Sequence, residues 1–380
     1  MRVPKPVTSF YLIIFYPLAH FCFLHSGTFE ITTSITSLQK KKPQNFSLFR
    51  QKKKNKKIPL VKMHSHHSHS GQYVQHAKDS LDAVVETALE KQFQTFCLTE
   101  HMPRYYPTDL YDEELESKTT VEDLAATFDA YYTHAKQIQA KVNGSPESKT
   151  QILVGFEAEG ISPFYFERGL DLLRGGRYSF DLVVGSVHHV HNIPIDYDAD
   201  TYEKARAAST TPTDLGLFED YFDLQYEMLR TLNPSVVGHF DLIRLFAPKT
   251  PAVATLIKPE STLWDKIKRN IDYAVSIGAL FELNSAAVRK GWETPYPQRD
   301  IAELILERGG RFCLSDDSHG IAQVGLNLHK CVEYLESLGA EAIYYLALEG
   351  TADNTKTVVK SVPIADARKH PFWVKNGTPL

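Results

Sequence analysis

A chain of 380 residues with 43% hydrophobic and 11% aromatic side chains can bury a large core, which excludes an intrinsically disordered protein and leaves room for one large domain or two ordinary ones. The net charge of −4 conceals an asymmetry: residues 1–62 hold 12 of the 42 Lys and Arg but one of the 46 Asp and Glu, so the remainder sets 30 basic against 45 acidic side chains, a formal −15. So acidic a body disfavours a nucleic-acid partner and suits a protein that carries cations of its own.

At the N-terminus, Arg2 and Lys5 precede the apolar run SFYLIIFYPLAHFCFL, which resembles the core of a secretory signal. Pro17 and His20 interrupt the run, no A-x-A site follows, and it is too short and broken for a membrane span, so no stable membrane insertion is expected. A Ser/Thr stretch and two Lys clusters come next without any apolar period and are expected to stay solvated. A nuclear or membrane-surface signal in the Lys cluster is the lesser alternative. Met63 offers a second start just before the first motif, so residues 1–62 are read as a disordered or mis-assigned extension and residues 63–380 as one domain.

From there, short β-branched runs alternate with helical stretches. Strands are predicted at residues 60–64, 95–98, 152–156, 180–184, 235–238, 279–283 and 311–314. Between them lie amphipathic helices such as SLDAVVETALEKQ, where Leu81, Val84, Val85, Ala88 and Leu89 share one face, and VEDLAATFDAYYTHAKQIQAKV. A last run, AIYYLALEG, predicts an edge strand. Consecutive βα units either close into a barrel or stack as an open doubly wound sheet. Polar residues at the end of nearly every strand favour the barrel, because an open sheet concentrates them at one switch point. No G-x-G-x-x-G or G-x-x-x-x-G-K-[ST] is present, which removes support for dinucleotide and P-loop readings. Cys22, Cys97, Cys313 and Cys331 are widely spaced without a CxxC pair and read as reduced thiols.

The strand ends carry HSHHSHS (His64, His66, His67, His69), TEH (Glu100, His101), GFEAE (Glu157, Glu159), GSVHHVH (His188, His189, His191), GHFD (His239, Asp241), ELNSA (Glu282, Asn284) and SDDSH (Asp316, Asp317, His319). Imidazole and carboxylate together are the ligand set of Zn, Mn and Fe, and at one barrel mouth they suffice for two or three ions. Without cations, that much charge in one cleft would repel itself and be costly to desolvate. Two histidines in H-x-H on a strand face the same way and can grip one ion. His64 with His66 and His67 with His69 both satisfy that spacing, and the spacing does not choose between them.

These residues resemble the PHP family of metallophosphoesterases, and within it the fungal monofunctional histidinol-phosphatases, from Met63 to about Gly350. The motifs that carry the resemblance are MHSHHSHSG, CLTEHMPR, GFEAE, GSVHHVHNIPID, VVGHFDL, LNSAAVRK and LSDDSHGIAQVG. The resemblance implies a distorted (β/α)7 TIM-like α/β barrel with three divalent metals (Zn, Mn or Fe) at its C-terminal mouth. It assigns metal ligation to His67, His69, His101, Glu157, His188, His239, Asp317 and His319, with Glu157 bridging two ions, Glu100 supporting the ligands from behind, and His64 and His66 as the fallback pair. Asp316 precedes Asp317 as an extra acid, which leaves a one-residue shift open there.

The implied reaction is hydrolysis of a phosphomonoester, L-histidinol phosphate, in the cytoplasm as a step of histidine biosynthesis, with a homodimer left open. Clustered cations lower the pKa of a bound water and neutralise the phosphate oxygens, so hydroxide is the expected nucleophile. Glu157 and Asp317 are the expected catalytic carboxylates. Arg289 is expected to clamp phosphate, with Lys290 and, more weakly, Arg104 as further substrate contacts, and Glu159 or an acidic rim residue to meet the substrate amine. Another PHP phosphoesterase acting on a nucleotide or a different small ester, and a non-catalytic metal-binding module, are the alternatives. Cys97 and Arg104 stand one residue too far apart for a C-x5-R phosphate loop, and the DYDAD run at Asp196, Asp198 and Asp200 lacks the Thr or Gly of an aspartyl-phosphate or calcium loop and reads as solvated.

Overall fold

The computed structural model describes residues 63–250, 253, 256–351, 354–370 and 372–373; the expected extension over residues 1–62 and Cys22 lie outside them. Seven strands of these residues form one sheet in sequence order: β1 His64–Ser65, β2 Thr95–Leu98, β3 Gln151–Glu157, β4 Leu182–Gly185, β5 Val236–Val237, β6 Leu280–Asn284 and β7 Arg311–Ser315. Every pairing is parallel. The His66 amide donates to the Leu314 carbonyl at 3.2 Å, bringing the first strand against the last. The sheet is thus a nearly closed barrel, as expected, and each strand falls within a few residues of its predicted place.

Parallel strands covered by helices are buried on both faces, which is why they read as apolar runs rather than alternating ones. One set of side chains points inward: Cys97, Leu153, Val184, Val236, Leu280 and Cys313 pack together in the barrel interior with Leu346. The opposite set meets the helices. In α1 (Leu81–Glu90) the Ser80 hydroxyl caps the first turn by accepting from the Ala83 amide, and Leu81, Val84, Val85 and Ala88 are the buried face.

The expected edge strand AIYYLALEG does not join the barrel sheet. It is β8 (Ala342–Thr351), paired antiparallel with β9 (Asn354–Pro363) as a separate hairpin. Its Leu346 plugs the interior, and Gln151, at the start of β3, bonds the Leu348 backbone in both directions at 2.7 and 3.0 Å. The hairpin therefore closes the barrel end opposite the carboxyl ends of the strands. His66 belongs to that closure: its Nδ1 lies 3.1 Å from the Leu314 carbonyl and its Nε2 accepts from the Leu346 amide at 3.0 Å. His64 accepts from the Leu314 amide and stacks on Tyr345. Cys97, Cys313 and Cys331 are free and buried, and burial pushes all three thiols well up.

Candidate metal centre

Beyond the carboxyl ends of the strands the structure assembles one cluster around Glu157, the last residue of β3. Glu157 Oε2 lies 3.0 Å from His67 Nε2, 3.3 Å from His69 Nε2 and 3.1 Å from His101 Nδ1; its Oε1 lies 3.3 Å from His188 Nε2 and 3.1 Å from His239 Nε2. Asp317 Oδ1 is 3.8 Å from His67, 3.6 Å from His69 and 3.6 Å from His319. All eight expected ligands thus meet in one place.

Local structure explains the convergence. The β2–β3 ladder continues past the strands, with Glu157 N donating to Glu100 O and Met102 N to Glu157 O, so His101 lies directly beside Glu157. Ser68–His69 pairs in parallel with Ser318–His319, placing the His69 and His319 rings 4.5 Å apart. Asp317 adopts φ +46°, a left-handed conformation that Asp tolerates better than most residues. That turn sends Asp317 to the cluster and Asp316 away from it. Asp316 is fully buried, bonded to Ser65 Oγ and the Ser318 and Gly325 amides, and pushed up to about 6 by burial. The cluster thus takes Asp317 rather than Asp316, and His67 with His69 rather than His64 with His66, which face the β8–β9 closure. In GSVHHVH, His188 alone joins the cluster. His189 is buried against Tyr111, while His191 sits on an exposed turn 2.7 Å from Asp220.

The donor set fits divalent ions. Tetrahedral ligands at roughly 2.1 Å from a zinc lie about 3.4 Å from one another, close to the nitrogen–oxygen separations found here. Three groups of ligand atoms are compact enough to share an ion: His69, His101 and His319; His67, His69 and Glu157; Glu157, His188 and His239. His67 Nε2, both ring nitrogens of His69, and His101 Nδ1 are buried without a hydrogen-bond partner, a costly state that a cation would relieve. The second ring nitrogen of several ligands is anchored: His67 Nδ1 lies 2.9 Å from Glu282 Oε1, His188 Nδ1 3.0 Å from the Glu159 carbonyl, and His319 Nδ1 3.0 Å from the Asp317 carbonyl. Such anchoring is how metal-binding imidazoles are oriented.

The electrostatics agree. Burial alone would raise the Glu157 carboxyl, but His67, His188 and His101 hold it well below the usual range. Against burial, carboxylates push His67 well up, His188 to about 10 and His69 to about 9. Burial and the charge of His69 bring His101 down to about 4.

A cavity of about 370 Å³ opens onto the cluster, lined also by Arg289, Lys290, Asp196, Tyr296 and His76. The Arg289 guanidinium is oriented by the Asp316 and Asp317 carbonyls at 3.2 and 3.1 Å. Two expectations are corrected. Arg104 does not line the cavity: it is buried, bonded to Glu159 Oε1 at 3.0 Å and to Glu114, and stacked over Tyr111. Glu159 is fully buried by that pair, by Tyr111 Oη at 2.6 Å and by His101, so it is not exposed to a substrate amine.

Glu282 was visible as a strand-end acid without a role. It faces His67 and accepts from the His239 amide at 2.7 Å, and its period-two partner Asn284 donates to Asp317 Oδ2 at 3.1 Å. His76, 3.0 Å from Glu113, also lines the cavity; it lies in a loop with no strand end beside it, so the sequence carried no signal for it.

Parallel strands ringed by helices, with imidazoles and carboxylates converging beyond their carboxyl ends, define an α/β-barrel metallohydrolase. The chain belongs to the PHP domain family, whose model matches residues 65–286. A Schizosaccharomyces pombe protein named "Probable histidinol-phosphatase" is 43% identical over 80% of this chain and 94% of its own length. The Saccharomyces cerevisiae protein named "Histidinol-phosphatase" is 35% identical over 82% of this chain and 99% of its own. A solved histidinol phosphate phosphatase from Lactococcus lactis, in complex with Zn, L-histidinol and phosphate, matches with a TM-score of 0.53 over 75% of this chain and 96% of that one; at 18% identity the likeness bears on the fold.

Proposed function

We propose that the chain is a histidinol-phosphatase: a metal-dependent phosphomonoesterase that hydrolyses L-histidinol phosphate to L-histidinol and phosphate. The observation that carries this reading is the gathering of five imidazoles around the two oxygens of Glu157 beside a cavity that also holds Arg289. His67, His69, His101, His188, His239 and His319, with Glu157 and Asp317, would hold the divalent ions, three on this reading. Zinc fits the nitrogen-rich set, and Mn or Fe fit it chemically as well. Bound ions lower the pKa of water toward neutrality and offset the phosphate charge.

The remaining work falls to this chain's side chains. Arg289, fixed by two carbonyls, receives phosphate oxygens in a fork, with Lys290 beside it. Asp317, tethered through Oδ2 by Asn284, keeps Oδ1 toward the cluster, where it or a nearby His would position the nucleophile or accept the proton. Residues 63–380 form the phosphatase domain and residues 1–62 are dispensable to it. The enzyme acts in the cytoplasm, where its buried thiols stay reduced.

Phosphate release from L-histidinol phosphate, nucleotides and sugar phosphates, with and without chelator, tests the reading. Faster turnover of a nucleotide would overturn the substrate, and activity indifferent to metal depletion would overturn the mechanism.

A further inference from the structure

Of the three acids in DYDAD, Asp198 caps α4 (Ala199–Ala208) by accepting from the Thr201 amide at 2.7 Å, and Asp200 is exposed in its first turn. Asp196 does neither and lines the cavity beside the metal centre. We infer that the Asp196 carboxylate is the specificity determinant that receives the cationic amine or imidazolium end of the phosphomonoester. The inference rests on the histidinol-phosphatase reading above and deepens it.

The backbone holds Asp196 in place. His189–Val190 and Ile193–Pro194 form a hairpin whose two turn residues, His191 and Asn192, take φ +53° and +62°, the left-handed pair of a tight two-residue turn. The chain then returns: Ile195 is fully buried and its amide donates to the His188 carbonyl at 2.9 Å. Asp196 thus follows a residue bonded to the backbone of a cluster histidine, so its distance from the reacting centre is set by the same segment that sets His188.

Its charge acts on the His188 and His189 rings but is held by no contact among the described residues. Among the described residues, no hydrogen bond or ion pair engages the Asp196 carboxylate, although it is half-buried, whereas the neighbouring acid Glu113 is 3.0 Å from His76. A carboxylate on the cavity wall that no hydrogen bond or ion pair engages is available to an incoming cation. The cavity therefore offers Arg289 and Lys290 to an anion and Asp196 to a cation. A substrate with phosphate on one side and a protonated amino-imidazole body on the other matches both signs; a sugar phosphate or a nucleotide matches one.

The test compares Asp196→Asn and Asp196→Glu with the metal-loaded full chain on two esters: L-histidinol phosphate, and phenyl phosphate, which has an aromatic body without a cation. The ratio of their kcat/KM values is expected to fall about 10- to 100-fold in Asp196→Asn, mainly through KM for L-histidinol phosphate, and to recover in part in Asp196→Glu. Inhibition by L-histidinol should weaken alongside. Losses of equal size on both esters, or an unchanged ratio, overturn the role of Asp196 while leaving the phosphatase reading intact. A parent enzyme that itself shows no preference for L-histidinol phosphate overturns both.

Discussion

Replacement of Arg104 by Met separates a structural arginine from a phosphate-binding one. The guanidinium is bonded to Glu159 and Glu114, whose side chains are 0% and 4% exposed, and lies 4.4 Å over the Tyr111 ring. Removing one partner of a buried ion pair costs about 3–5 kcal/mol, because the remaining carboxylates stay desolvated without compensation. His101 Nδ1, 3.0 Å from Glu159 Oε1, offsets part of this, which places the loss toward the lower end. For a folded unit of roughly 300 residues the unfolding entropy is about 0.6 kcal/mol per kelvin, so the lower end of that range should drop the melting temperature by about 5 °C. Differential scanning calorimetry of the metal-loaded protein reads the shift, and steady-state kinetics at 25 °C should show KM for L-histidinol phosphate within about twofold of the parent. A melting point unchanged within a degree, together with a tenfold rise in KM, would refute the reasoning and return Arg104 to the substrate.

Glu157→Gln and His67→Ala should each lower activity by more than about 100-fold and reduce the metal content per chain measured by mass spectrometry; full metal content with full activity would remove them from the centre. Glu282→Gln should weaken metal affinity about 10- to 100-fold by releasing His67 Nδ1 while sparing the fold, as read by titration with a competing chelator. Arg289→Ala should reduce kcat/KM about 100-fold, with Arg289→Lys recovering little of it, since a lysine cannot replace the fork held by two carbonyls. Asp220 gives a pH test away from the site. Burial raises its carboxyl, but the Thr210 amide and the His191 ring outweigh that and hold it below its ordinary value. Because the folded value is the lower one, its contribution to stability is complete above the ordinary Asp range and disappears as pH falls through the depressed value. Asp220→Asn should therefore lower the urea midpoint at pH 7, and the difference from the parent should close as pH falls through the depressed value.

Much of the barrel was legible because helices and parallel strands report themselves locally. Cys97, Leu153 and Val184 face the interior while their neighbours meet helices, so the middle of such a strand is apolar on both faces and the run stands out from the 3.6-residue period around it. The clustered residues were legible for a related reason: a strand ends at a fixed place in a barrel, so His101, Glu157, His188, His239 and Asp317 could be assigned to one rim before any distance was known. The AIYYLALEG run shows the limit of local pattern, since its strand character is plain while its partner is not. Pairing is a matter of which edge is available, and here β9 takes it rather than the barrel.

The chemistry of the site, as a set of residue types at strand ends, was determined by the sequence alone, and the direction in which each side chain points was decided only by the tertiary structure. His66 and His67 are adjacent, yet one is locked to the closing hairpin and the other faces Glu157. Asp316 and Asp317 diverge because a left-handed turn separates them. Arg104, Glu159 and Asp196 show the same thing for charge: the first two cancel each other inside the protein, and the third is left facing the cavity. Residue identity sets what a side chain can do chemically, but long-range packing determines which of its possible partners lies within 3 Å, and a linear chain carries no record of that distance.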